Sequence, residues 1–365
     1  MTELLVVALE ASADLHGAAV LRELKTLRPD LKAFGAGGPR MRAAGFEALI
    51  RAEDLSVMGV AEIIPALPRI LDAMDTLYES ARDRQPKAAL LIDSPDFNLR
   101  LARQLHDRKI PVAYFIGPSV WAWRTYRVKQ IARDVARMLV ILPFEQKFYE
   151  DHGVAATYVG NPLMGTPSPT DGPPMKIGEG LPILALLPGS RLQEIHRIWP
   201  PMLAAARKLR EQRPDLQLVV PVAPTVDRGL LHAPDVIFVE GRAPEVLKAA
   251  TAAIVASGTA TLEAAVAGAP LVVVYKTSWL TWMIGRLLVR VRHISLVNLL
   301  AGRALVPELL QSACTADTIA AATAPLLAQT PERMKQIEGL QQVRNTLAGS
   351  GNAARRVAEE VAQLL

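Results

Sequence analysis

Short apolar runs of Val, Leu, Ile and Ala alternate with longer amphipathic stretches through most of this 365-residue chain. In the first half such runs predict strands at 4–8, 31–34, 88–92, 112–115, 138–142 and 157–159, with helical patterns at 15–27, 99–107 and 127–136 between some of them. A strand followed by a helix and another strand closes only as a right-handed crossover, so repeated units of this kind build a parallel sheet.

The alternation stops between Pro162 and Pro182, where prolines stand at 162, 167, 169, 173, 174 and 182 and glycines at 165, 172, 178 and 180. Such a stretch sustains neither a helix nor an inner strand and reads as a linker, 164–182. Strand patterns then resume at 183–187, 217–221, 236–239, 253–256 and 271–275, and from Thr315 the chain reads as helices. The fold class is therefore α/β, with one parallel-sheet domain at 1–163 and another at 183–349. A last helix, about 350–365 after Gly349-Ser350-Gly351, is expected to return to the first domain. Ligands in open parallel sheets sit beyond the carboxyl ends of strands, so both domains are expected to face a shared cleft.

Half the residues are hydrophobic, which fits helices packed on parallel strands. The formal charge of +5 favours an anionic partner: a nucleotide, a phosphorylated lipid or nucleic acid. Cys314 is the only cysteine, so no intrachain disulfide forms and a reducing compartment is expected. The start carries no basic segment of a signal peptide, and no apolar run has the length of a membrane span, which together predict a cytoplasmic protein. The six histidines are scattered singly, without metal-ligand spacing.

Two strand-to-helix turns of the second half have the make-up of anion sites. The first is Leu187-Pro188-Gly189-Ser190-Arg191, where free backbone N–H groups meet a bidentate guanidinium. An ordinary turn with a solvated arginine is the alternative. The second runs from Ser257 through Gly258, Thr259 and Thr261 to Glu263. There the hydroxyls suit helix capping, Gly258 permits close approach, and Glu263 falls either in the first helical turn of a plain capping box or toward a ligand. Neither turn has the P-loop lysine or the full dinucleotide fingerprint.

In the first half, Asp93 and Asp96 follow the 88–92 strand together with Asn98, placed for general-base work or, for at least one of them, for capping. The first loop carries Glu10, Ser12, Asp14 and His16; capping accounts for Ser12 or Asp14 but not for Glu10 or His16. Ser278 to His293 combines Trp279, Trp282 and Met283 with Arg286, Arg290 and Arg292, which suits an interfacial helix on anionic lipid, with a core helix or subunit interface as the alternative. The stretch Ile63 to Leu71 offers a smaller patch of the same kind.

Together these loops resemble the lipid-A-disaccharide synthase family, the glycosyltransferase family 19 enzymes of Gram-negative bacteria. The resemblance lies in Glu10–Ala18, Gly37–Met41, Ser56–Glu62, Ile92–Asn98, Pro118–Arg124, Leu142–Glu145, Leu187–Arg191, Ser257–Glu263 and Asn298–Arg303, in family order. It implies the glycosyltransferase B fold, with two Rossmann-like domains facing a cleft, and an inverting, metal-independent transfer without a cofactor. The implied donor is UDP-2,3-diacylglucosamine and the acceptor 2,3-diacylglucosamine 1-phosphate. UDP and a β-1,6-linked disaccharide 1-phosphate would be the products. It further implies work at the inner face of the inner membrane, no nucleic-acid partner, and room for a homodimer.

By the same resemblance Asp96 is the expected base, with Asp93 second. Arg191, Ser190, Ser257, Gly258, Thr259 and Thr261 would hold UDP, with Glu263 toward the ribose. Asn298 and Arg303 would approach the nucleotide, Glu10, Ser12 and His16 would border the sugar site, and Asn98 would be a further substrate-binding residue. Leu9 and Ala13 replace usual glycines, Gly117 a serine, Asn161 a histidine and Val297 a proline; these departures bear on rate and on acyl or sugar preference, not on fold. Competing readings are a UDP-N-acetylglucosamine 2-epimerase, a lipid II-type transferase, and a non-catalytic nucleotide or lipid binder on the same scaffold.

Overall fold

A computed structural model of the chain describes residues 2–55, 60–165, 180–223, 226–288, 291–348 and 351–365. Contacts divide it into two units: Met1–Gly165 with Leu347–Leu365, and Thr166–Thr346. The first holds a parallel sheet of β1 (Glu3–Ala8), β2 (Lys32–Gly37), β3 (Glu47–Arg51), β4 (Ala88–Ile92), β5 (Val112–Phe115), β6 (Arg137–Val140) and β7 (Ala156–Tyr158), in the order β3-β2-β1-β4-β5-β6-β7. The second holds β8 (Ile183–Leu187), β9 (Gln217–Val222), β10 (Ile237–Glu240), β11 (Ala252–Ala256), β12 (Leu271–Tyr275) and β13 (Glu308–Leu310), also parallel, in the order β10-β9-β8-β11-β12-β13. In both sheets the chain first builds outward to one side and then jumps back across the first strand. The reversal falls between β1 and β4, and between β8 and β11.

Alternating residues explain why these strands are buried on both faces. Leu5, Val7 and Leu91 enter one core, whereas Leu4, Val6, Leu90 and Ile92 enter another on the opposite face. The C-terminal helix Ala353–Ala362 packs Val357, Ala358 and Val361 into that second core beside Val20, Leu21 and Leu24 of the helix Ala11–Leu27. Arg137 clamps it through an ion pair of 2.5 Å to Glu360. Cys314 is buried in the core of the second unit.

Several sequence expectations need correction. The strands β3 and β13 were not expected: β3 is a sheet edge with every second residue exposed and charged ends, and β13 has only three residues, none fully buried. The strand expected at 138–142 ends at Val140, because Leu142 starts the helix Pro143–Glu150 and its N–H is tied to Glu145 Oε2 at 3.0 Å. Neither Ser12 nor Asp14 caps its own helix. Asp14 reaches across to the N-terminus of the helix Pro39–Ala43, accepting from the N–H groups of Arg40 and Met41, both at 3.0 Å. That bond gives Gly38 its reason, since a β-carbon there would lie 2.5 Å from the Asp14 carboxyl carbon.

Most of the linker at 166–179, the Ser56–Gly59 part of its motif and the Gly349-Ser350 break lie outside the described residues.

Candidate active site

Each reversal of strand order leaves a crevice at the carboxyl ends of two neighbouring strands, and the polar loops named above fall there. In the first unit Ala8 pairs with Ile92, so the loop after β1 and the loop after β4 leave the sheet side by side. Glu10 stands at the start of the first loop's helix and Asp93 at the start of the second loop. The Ser94 hydroxyl lies 3.5 Å from Glu10 Oε1.

Asp93 and Ser94 are two successive non-glycine residues with left-handed backbone, φ 54° and 44°. Such conformations cost about 1–3 kcal/mol each and persist only where neighbours impose them. Here the Asp93 carbonyl accepts from the Tyr114 hydroxyl at 2.6 Å and from Asn98 Nδ2 at 2.8 Å, and the Asp93 N–H donates to Phe115 O at 3.0 Å. The turned-back Ser94 N–H then donates to Asp93 Oδ1 at 2.8 Å. Among the described residues Oδ2 receives no hydrogen bond. Burial, and then the neighbouring Glu10 carboxylate, push the Asp93 carboxyl up to about 6.

The rest of the first loop is less chemically poised. Ser12 is exposed in the first turn of its helix. His16 stacks edge-on against Phe115, with ring centroids 6.3 Å apart, and burial lowers its imidazole to about 4, so it is neutral at working pH. Asn98 is fully buried: its amide donates to the carbonyls of Ile92 and Asp93, so it faces the backbone rather than a ligand site. Asp96, the second residue of the helix Pro95–Asp107, is 75% exposed and held by Arg127 at 2.5 Å and Arg124 at 3.7 Å. Neither aspartate caps that helix.

Arg124 comes from a loop that Glu145 anchors. The buried Glu145 carboxylate accepts from Trp121 Nε1 at 2.9 Å, and burial pushes it up to about 7. Trp123, two residues on, lies under the Arg124 guanidinium at 4.1 Å.

In the second unit Leu187 pairs with Val255, which brings the turns after β8 and β11 together. A β-carbon on Gly189 would stand 3.6 Å from Ala256 Cβ and 2.8 Å from Glu194 Oε2, and its φ is 103°, so only glycine fits. Ser190 is exposed. Arg191, at the N-cap of the helix Leu192–Gln212, is 82% exposed and pairs with Glu194 at 2.9 Å, leaving most of its fork to solvent.

The second turn differs from expectation. Gly258 is the N-cap, without a side-chain cap, and the buried Thr261 hydroxyl donates back to the Gly258 carbonyl at 2.7 Å. Glu263 is the fifth residue of the helix Thr259–Ala267, past its first turn, so it completes no capping box; burial raises its carboxyl. Thr259 is exposed at the helix start, and Ser257 Oγ lies 3.4 Å from Ile294 O.

Asn298 is spoken for internally. It donates to Val306 O and Glu308 Oε1 and accepts from the N–H groups of Leu305 and Val306, which makes it a loop clamp. Glu308 also accepts from Ile294 and Ser295, closing the same loop. Arg303 is exposed, with no ion pair among the described residues. Sequence reasoning missed Tyr114 and Glu308. Tyr114 left a faint signal as a hydroxyl-bearing residue within the apolar run 112–115, whereas nothing local marks Glu308.

The departures noted in the sequence are packing residues. Ala13 and Val297 are buried, and Leu9 packs against the core. Asn161 is buried and caps the turn Pro162–Met164 through Leu163 N–H at 3.0 Å. A β-carbon on Gly117 would lie 2.3 Å from Met138 Cε, so glycine and methionine fit as a pair.

Among the described residues no group of three or more His, Cys, Asp or Glu side chains is arranged to hold a metal ion, and no helix is long and apolar enough to cross a membrane.

The profile of the lipid-A-disaccharide synthetase family matches residues 4–362. The chain is 52% identical to the lipid-A-disaccharide synthase of Anaeromyxobacter dehalogenans (strain 2CP-C) over 370 residues, covering 98% of this chain and 96% of that one. With the enzyme of Myxococcus xanthus (strain DK1622) identity is 48% over 373 residues, 99% of this chain and 97% of that one. Among solved structures it is similar to the glycotransferase of kitacinnamycin (TM-score 0.67, 18% identity, covering 100% of this chain and 99% of that one). It is equally similar to the UDP-GlcNAc 2-epimerase of Neisseria meningitidis bound to UDP-GlcNAc (TM-score 0.67, 14% identity, 100% of both chains). At these identities the structural likeness speaks to fold alone, that of the glycosyltransferase B class.

Proposed function

Because this chain belongs to the lipid-A-disaccharide synthase family and is therefore a hexosyltransferase of lipid A biosynthesis, we propose that it condenses UDP-2,3-diacylglucosamine with 2,3-diacylglucosamine 1-phosphate. The products are UDP and the β-1,6-linked disaccharide 1-phosphate, formed with inversion. The acceptor hydroxyl loses its proton as it attacks the anomeric carbon, and Asp93 takes that proton. The observation that carries this reading is the Asp93 carboxylate itself: one oxygen tied to Ser94 N–H, the other unengaged among the described residues, and a carboxyl raised to about 6 beside Glu10. A base in that range is ionised at neutral pH yet basic enough to accept a proton. Asp96, expected first from the sequence, is the weaker candidate, because two arginines compete for its carboxylate.

The departing UDP gathers negative charge. Arg191 and the free N–H groups at the starts of the helices Leu192–Gln212 and Thr259–Ala267 supply matching positive potential without requiring a divalent ion. Incubating the protein with both acylated substrates, with and without a chelator, tests the whole reading: disaccharide 1-phosphate and UDP are expected in both arms. Hydrolysis or epimerisation of the nucleotide sugar alone, or loss of product with chelator, would reject it.

Arg191→Lys replaces a planar fork by a point charge, so UDP affinity is expected to fall by about 3- to 30-fold in calorimetry, in keeping with the loss of one bidentate charge-assisted contact. Unchanged affinity removes Arg191 from the nucleotide site.

We also place the protein at the inner face of the inner membrane through the helix Trp279–Leu288. Trp279 is 72% exposed and Met283 43%, and with the exposed Arg286 they follow i, i+4, i+7 spacing on one face. Residues 289–290 of that segment, and the side chains of 61–66 in the smaller patch, lie outside the described residues; Leu67 and Leu71 are exposed. Trp279→Ser with Met283→Ser is expected to weaken binding to anionic vesicles in flotation by about 30-fold or more, given some 1–2 kcal/mol of interfacial burial for each of the two side chains. Equal flotation would point instead to a contact between proteins.

A further inference from the structure

We propose that Tyr114 is a positioning residue for Asp93, holding by its hydroxyl the left-handed turn that aims the base; this rests on the reading of Asp93 as the base. The β4–β5 register pairs Leu91 with Tyr114 and Ile92 with Phe115. The ladder therefore runs out one residue before the loop, with a last bond from Asp93 N–H to Phe115 O. Beyond that point the sheet no longer fixes the chain: the Ser94 carbonyl accepts from the N–H groups of Phe97 and Asn98 in the following helix, and the Asp93–Ser94 peptide is left to side chains.

The Tyr114 side chain lies wholly inside the core and extends along the sheet to the Asp93 carbonyl, 2.6 Å away. Burial raises its hydroxyl well above the ordinary range, so it remains a donor at every working pH. Asn98 gives the same carbonyl a second donor, and the amide orientation is unambiguous because both of its neighbours are carbonyl acceptors. With the carbonyl drawn inward by two donors, the peptide that carries it, Asp93 to Ser94, turns over. Its N–H then meets Asp93 Oδ1, which leaves Oδ2 to act. The chain thus forces two left-handed residues where glycine would be the easy choice.

Among the described residues, the charged and titratable groups recorded as acting on Asp93 or on Tyr114 are Glu10 from the first loop, Tyr149 from the helix Pro143–Glu150, and the Asp96–Arg127 pair. Tyr114→Phe removes one oxygen and keeps the ring, and Asn98 still holds the carbonyl, so the fold is expected to survive. A carboxylate released from its aim loses catalytic geometry and gains water. In the variant kcat is expected to fall by about 10- to 100-fold, as for a small misplacement of a reacting group, with the KM for the nucleotide sugar within about threefold. The acid limb of the kcat profile should move down by half a unit or more, toward an ordinary aspartate. Carbon-13 titration of labelled aspartate carboxyls should show the same movement for Asp93 without recourse to turnover.

Wild-type kcat with an unmoved acid limb and an unmoved Asp93 titration would overturn the proposal. So would a loss of melting temperature alone, which would leave Tyr114 as core filling. Asp93→Asn run alongside separates the two ideas. If it is inactive while Tyr114→Phe matches wild type, only the positioning role fails; if it is fully active, the base assignment fails and takes this role with it.

Discussion

Asp93→Asn is expected to lower disaccharide formation by about a hundred- to ten-thousand-fold while leaving UDP affinity within a few-fold of wild type. The asparagine can still accept Ser94 N–H through its Oδ1, so the turn is kept and only basicity is lost. On the proposed role, the ionised carboxylate of the wild-type protein is the active form. The rate should therefore rise with pH through about 6 and flatten above it. Burial sets most of that position and Glu10 adds to it, so Glu10→Gln should shift the acid limb downward. Stability runs the opposite way. A carboxyl raised in the folded state favours unfolding once it ionises, so wild type loses stability as pH climbs from the ordinary carboxylate range through about 6, and Asp93→Asn escapes that loss. An Asp93→Asn enzyme with near wild-type turnover would remove the aspartate from the chemistry.

Gly35→Ala is expected to cost the first unit about 3–5 kcal/mol, enough to leave much of it unfolded or insoluble at ordinary growth temperatures. Gly35 lies in β2 opposite Val6 of β1, with φ 136°, at the point where the β2–β3 register shifts. A β-carbon there would stand 2.4 Å from the Val6 carbonyl oxygen and 2.9 Å from Leu5 Cδ1. The obstacle is backbone in the middle of the sheet, which cannot step aside as a surface side chain can. Denaturant titration followed by a probe in the first unit measures it. A midpoint equal to wild type would mean that β1 and β2 are not held as described. Because β1 leads directly into Glu10, partial unfolding there should also abolish activity.

Much of the architecture was legible in the chain. β4, β5, β8 and β12 coincide with apolar runs read directly from sequence, because strands covered on both faces must be apolar without interruption. β3 and β13 escaped because an edge strand needs only a partial apolar face, and their charged or short segments look like loops. The positions of the polar turns at strand ends were equally readable, since glycine, serine and threonine announce a strand-to-helix connection.

Side-chain roles within those turns were not. Asn98 and Asn298 looked like ligand contacts and are buried clamps on backbone carbonyls and N–H groups, while Asp14 caps a helix other than its own. Sequence alone determined that this chain makes two parallel α/β sheets with polar loops at their carboxyl ends, because hydrophobic periodicity and turn chemistry are local properties. Only the tertiary structure decided which aspartate is raised and left with an open oxygen and which is neutralised by arginines. That outcome depends on Tyr114, Glu10, Arg124 and Arg127, residues distant in sequence from at least one of the two carboxylates, and burial and Coulomb effects act through space.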